Sequence, residues 1–175
     1  MKKLSFQIAF GGIVTALCII LMFSVGLFPV LVYVFPMLSS ILISMLSYEC
    51  GTKTAVVSYA SVSLLSLILS PDKESALLFL SFFGYYPILC KYIDRLKSAV
   101  LRWLSRLLIF NAAMIASYFV LSRIFTAVTL DDFGKWTAPI LLALGNLTVI
   151  VYDLALRNVS NLYVKKLRKV IFKRK

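Results

Sequence analysis

FQIAFGGIVTALCIILMFSVGLF, residues 6–28, follows a Met1-Lys2-Lys3 start and carries no charge. A start of this kind also fits a secretory signal peptide, and Ser24-Val25-Gly26 offers a small-x-small cleavage site. The run is long for a signal core, however, and leads straight into a second apolar stretch over 29–47. It therefore reads as a first membrane helix. Further apolar stretches follow over 54–70, 75–90, 103–125 and 136–156. A helix needs about 20 apolar residues to cross about 30 Å of hydrocarbon, where only helices and closed barrels satisfy their backbones. The runs are continuous rather than alternating, which excludes a β-barrel. The expectation is an all-α polytopic membrane protein of six transmembrane helices, forming a single domain over 1–175.

Hydrophobic residues make up 61% of the chain, yet its net charge is +12. With six crossings, sixteen Lys and Arg residues collect on the side of the two termini and only Lys73, Arg123 and Lys135 on the other. The positive-inside rule then makes both termini cytoplasmic. Topology and anionic lipid account for this basicity, so nucleic acid is not expected as a partner. Residues 158–175 read as a basic amphipathic tail along the inner leaflet. Cys18, Cys50 and Cys90 have no CxxC spacing and His is absent, which argues against zinc and against any cofactor held by such ligands.

The third and fourth helices are short and meet at Pro71-Asp72-Lys73-Glu74, which reads as an extracellular turn. Burying those charges in a re-entrant hairpin would cost about 2.5–3.5 kcal/mol each. Pro29 and Pro36 in the second helix, and Gly84 and Pro87 in the fourth, predict bends. Bent helices fit an outward-facing cavity and fit packing irregularity equally. In the first helix Ser5/Ala9 and Gly12/Ala16 are small-xxx-small pairs. Such a smooth strip either packs within the chain or docks a partner subunit.

Polar groups within the spans are Asn111, Asn146 and Asp153, with Arg157 four residues after Asp153 and able to pair with it. These form either an interhelical clamp or a ligand site, with Asn146 the better ligand candidate. Phe79, Phe82, Phe83, Tyr85 and Tyr86 concentrate in the fourth helix. Phe79, Phe82 and Tyr86 are candidate walls of a substrate cavity, with Asp72, Lys73 and Arg123 at its mouth and Glu74, Asp131 and Asp132 nearby. An apolar pocket with few convergent polar groups is the usual design for a small organic ligand.

Six short helices with both ends inside, the Lys-Lys start and the small-xxx-small spacing together resemble the substrate-binding S component of energy-coupling-factor (ECF) importers. The stretch from Val57-Ser58-Tyr59-Ala60 to Pro71-Asp72-Lys73-Glu74, residues 83–89 and Leu144-Gly145-Asn146 are similar to an uncharacterised Firmicute membrane family grouped with them. The resemblance covers the layout of the whole chain, without a fingerprint for any one vitamin. It implies a small-molecule substrate captured from outside. It also implies docking on a transmembrane coupling subunit served by two ATPase subunits, through a first-helix surface that matches Ala9, Gly12 and Ala16 here. Gly12-xxx-Ala16 replaces the family's Ala-xxx-Ala. The chain lacks a GxxxxGK[ST] loop of its own. Two other classes compete: a scaffold subunit without ligand, and a small ion-coupled carrier for which Asp153 is the acidic candidate. An enzyme is not expected, because the spans hold no acidic pair and no nucleophile–base set.

Overall fold

The computed structural model describes residues 4–124 and 137–167, and these are all-helical, with no strand among them. Helix α1 (Leu4–Ser24) is followed by a short 3-10 turn at Pro29–Leu31, then α2 (Val34–Glu49) and α3 (Thr52–Leu69). An interrupted helical rod comes next, made of α4 (Lys73–Leu78), a π-helical segment (Phe79–Phe83) and α5 (Tyr86–Ile93). Helices α6 (Ala99–Ile124) and α7 (Thr137–Leu162) complete the bundle, and α7 runs on into a π-helical turn at Tyr163–Leu167. Four helical stretches are long and apolar enough to cross a membrane: Leu4–Ser24, Thr52–Leu69, Lys73–Ile93 and Ala99–Ser117. Helix α2 is apolar and shorter.

The bundle buries serines beside an apolar core and exposes large aliphatic side chains. The buried face of α2 carries Ser39, Ser40, Ser44 and Ser47, and that of α3 carries Ser58, Ser63 and Ser66. Large apolar side chains such as Ile8, Ile20, Val57, Leu64 and Ile68 point outward. Small residues at helix interfaces with Leu and Ile on the outer surface form a pattern compatible with a lipid surround, where close packing rather than a hydrophobic force holds helices together. Helices α1, α2 and α3 pack mutually, and α2 also touches α5 and α7. Gly11 supplies the close approach of α1 to α3, where an added Cβ would lie 3.2 Å from Thr54 Cγ2.

The prolines act differently from the sequence expectation in the second helix. Pro29 lies in the separate 3-10 turn, and Pro36 sits in the first turn of α2. A first-turn N–H has no intrahelical acceptor in any case, so Pro36 costs the helix nothing there. In the fourth rod the α-helix is interrupted by the π-helical segment before Gly84, and the cause is visible. The Gly84 N–H bonds to the Phe79 carbonyl at 2.8 Å, one residue further back than in an α-helix. That leaves the Leu80 carbonyl free to accept the Tyr59 hydroxyl of α3 at 2.7 Å. Only glycine fits at 84, because a Cβ would stand 2.4 Å from the Tyr59 ring and 2.9 Å from the Phe79 carbonyl oxygen. Pro87 then begins α5 within its first turn.

At the Pro71 end of the bundle, the connections are tied together. Gly26 lies against Pro71, whose ring leaves no room for a side chain there. Ser70 Oγ donates to the Met22 carbonyl at 3.2 Å, and the Tyr33 hydroxyl reaches Glu74 Oε1 at 3.4 Å.

Candidate functional site

Three features of the bundle hold chemistry: an open groove on α1, an aromatic core, and a buried ionic cluster. The groove runs along α1 and α3 and has a volume of about 590 Å³. Gly11, Gly12, Thr15 and Ala16 line it from α1, and Lys53, Thr54, Val57 and Ser58 from α3. The two adjacent glycines have opposite duties. Gly11 is buried against α3, whereas an added Cβ at Gly12 would meet nothing within 4 Å. Ala9 and Ala16 are exposed as well. The strip formed by Ala9, Gly12 and Ala16 therefore faces outward, and Gly11 rather than Gly12 makes the internal helix contact.

The aromatic side chains of the fourth rod are brought together, but as a packed core. Phe79 and Tyr86 are fully buried and Phe82 is 1% exposed. Phe82 lies 4.6 Å from the Tyr86 ring centre and 5.2 Å from that of Phe110, and Phe83 sits edge-on to Tyr152 at 5.1 Å. The Phe82–Phe110 and Phe83–Tyr152 contacts are edge-to-face and the Phe82–Tyr86 contact is tilted, arrangements that are favourable at these separations. The Tyr152 hydroxyl is satisfied by Ser40 of α2. Asn146 is half-buried and faces α6, where its Oδ1 accepts the Asn111 amide at 3.1 Å. That is the interhelical clamp weighed from the sequence.

Asp72 and Lys73 serve as helix caps. Asp72 Oδ2 accepts the Ser75 N–H at 2.9 Å, satisfying an orphan donor at the start of α4. Lys73 Nζ reaches the carbonyls of Leu67 and Ser70, both at 2.9 Å, and so neutralises the carbonyl end of α3. The turn thus uses its charges locally. The Arg123 side chain, with Asp131 and Asp132, lies outside the described residues, as do 168–175 of the basic tail.

Sequence reasoning paired Asp153 with Arg157, and the two stand 3.0 Å apart one turn along α7. It missed the partner that matters more. Arg106 of α6 is 1% exposed and donates to Asp153 Oδ2 at 3.1 Å. Its other guanidinium nitrogen pairs with Asp94, which follows α5 and also accepts Arg157 at 3.0 Å. The Tyr86 hydroxyl donates to Asp153 Oδ1 at 2.8 Å. Two guanidinium groups thus bracket two carboxylates, and Asp153, 1% exposed, has both oxygens satisfied. The network joins α5, α6 and α7 at one end of the bundle. Among the described residues, no group of three or more His, Cys, Asp or Glu is placed to hold a metal ion.

Comparison with protein families, with curated proteins and with solved structures returns no match for this chain.

Proposed function

We propose that this chain is the substrate-binding subunit of an ECF-type importer in the bacterial cytoplasmic membrane. In this reading it crosses the membrane six times with both termini inside. It captures a vitamin-like small organic micronutrient from outside and docks on a transmembrane coupling subunit that two ATPase subunits drive. The observation that carries the reading is the open strip of Gly12 and Ala16 along the α1–α3 groove. Small residues in lipid are useful where a second backbone approaches closely, and inside this bundle nothing approaches Gly12. The buried, fully paired Asp153 argues against the ion-coupled carrier, since a carboxylate held by two arginines and a tyrosine has no free oxygen for a cation.

The test is co-purification from the native membrane. Gly12→Leu or Ala16→Leu fills the groove and is expected to abolish recovery of the coupling subunit, while the melting temperature stays within about 2 °C because the added side chain meets open space. Gly11→Leu, by contrast, is expected to unfold the α1–α3 contact. Loss of fold in all three variants would sink the docking reading. Orientation is tested by cysteine labelling in intact cells, where a probe at position 73 is expected to react with an impermeant maleimide and one at position 97 to stay protected.

The packed aromatic core favours a second reading, a docking subunit without ligand, because Phe82 and Tyr86 are buried against each other and Phe79 is buried against Tyr59. A thermal-shift screen against vitamins separates the two. Stabilisation by one compound supports substrate capture, and none across the panel supports the scaffold.

A further inference from the structure

Beside the ionic cluster lies a cleft of about 180 Å³ between α2, α5 and α7. Its wall is polar: Ser44 and Tyr48 from α2, Lys91 from α5, and Arg157, Ser160 and Asn161 from α7. Asp94 and Asp153 border it as well, yet both are already claimed by Arg106 and Arg157. Those four charges cancel. Lys91 is the surplus. Its Nζ bonds to the neutral Ser47 hydroxyl at 2.8 Å and stands 4.0 Å from the Tyr48 ring centre, and no carboxylate among the described residues pairs with it. The Lys91 side chain is half-buried. The cleft thus offers one uncompensated ammonium, an Arg157 guanidinium that is 40% exposed, the Asn161 amide, and the Ser44 and Ser160 hydroxyls, which share one hydrogen bond at 3.2 Å.

One missing negative charge with several hydrogen-bonding oxygens describes a phosphodiester rather than a monoester, which carries about −1.5 to −2. We propose that this cleft binds a phosphate group through Lys91 and Arg157, the group being that of a phospholipid head or of a free phosphate compound. A phosphodiester carries a single negative charge and balances Lys91. Serine, tyrosine and asparagine side chains can donate to its remaining oxygens. Tyr48 and Leu162 expose apolar surface on the same two helices, beside which acyl chains could lie. Basic clefts between membrane helices are a recurring form of headgroup recognition. This inference does not depend on the importer reading.

The test uses the purified full chain in detergent, with native mass spectrometry and thermal shift as readouts. The probes are phosphatidylglycerol, diacylglycerol and inorganic phosphate. Phosphatidylglycerol is expected to bind at one saturable site and raise the melting temperature, whereas diacylglycerol does neither. Lys91→Gln removes a charged hydrogen-bond donor and is expected to weaken binding about tenfold or more. Lys97→Gln, the same charge change at an exposed position, should weaken it less than twofold. Asn161→Asp places a like charge at the exposed rim without touching the core, and is expected to expel the ligand even if Lys91→Gln fails to fold. Competition by millimolar phosphate assigns the site to a soluble phosphate compound, and insensitivity to phosphate assigns it to lipid. Equal retention of diacylglycerol, or equal losses from Lys91→Gln and Lys97→Gln with Asn161→Asp silent, would overturn the proposal.

Discussion

Arg106→Ala is expected to destabilise the protein by about 3–5 kcal/mol, more than any other single truncation of a charged side chain outside the cleft. The guanidinium is buried, and removing it strands Asp153 beside the Tyr86 hydroxyl with only the half-exposed Arg157 as counter-ion. Asp94 loses its buried partner at the same time. The cost comes from the uncompensated carboxylate and not from any large intrinsic strength of the pair. Replacing buried ions together by apolar residues is often neutral. The double variant Arg106→Met, Asp153→Leu is therefore expected to recover most of the loss. Chemical denaturation in detergent of the wild type, both single variants and the double variant measures this cycle. A double variant as unstable as the sum of its parts would show that the cluster itself, and not the orphaned charge, carries the stability.

Phe82→Ala is expected to cost about 2–3 kcal/mol. The ring is in contact with Phe83, Tyr86, Phe110 and Tyr152, so its removal opens a void inside a shell of interlocked aromatics. In a water-soluble protein the same truncation costs about 3–5 kcal/mol, part of it lost transfer from water. The proposed membrane location implies that the unfolded helix keeps Phe82 in an apolar surround, so only the packing part remains. The prediction separates two views of the residue. A ring that lines an open cavity contributes little packing, and its truncation would leave stability unchanged while weakening ligand binding. Thermal denaturation of Phe82→Ala and Phe82→Leu decides between these views, with the leucine variant expected to recover about half the loss.

The limits of the sequence are instructive at particular residues. Apolar run length locates the helices, as it does for segments able to cross a membrane, where a backbone must satisfy its own hydrogen bonds. The Asp153–Arg157 pair is legible because one helical turn joins them. Arg106 is not, because the positive-inside rule counts its charge without asking where its side chain goes. Its partners come from residues 94 and 153, far apart in the chain. A lone Asp94 within the basic stretch 91–97 was the available signal. The π-helical segment at Phe79–Phe83 depends on the Tyr59 hydroxyl from another helix and on the space left by Gly84, so no local pattern contains it. Asp72 and Lys73 were read as charges at a pocket mouth. At a helix start and a helix end, each finds orphan backbone groups within a few residues. Small-xxx-small spacing identified the strip on α1 but not which glycine faces inward. That depends on a rotation of α1 of about 100° between neighbouring residues, set by Val14, Cys18 and Met22 seeking the core.

The most direct measurement of the docking claim is photo-crosslinking in the native membrane, with a benzophenone amino acid placed at Gly12 or Ala16 and mass spectrometry of the products. The docking account predicts one dominant adduct with a multi-spanning coupling subunit, absent when the probe stands at the exposed Ile20 instead. Adducts with lipid alone at position 12, indistinguishable from those at position 20, would contradict it.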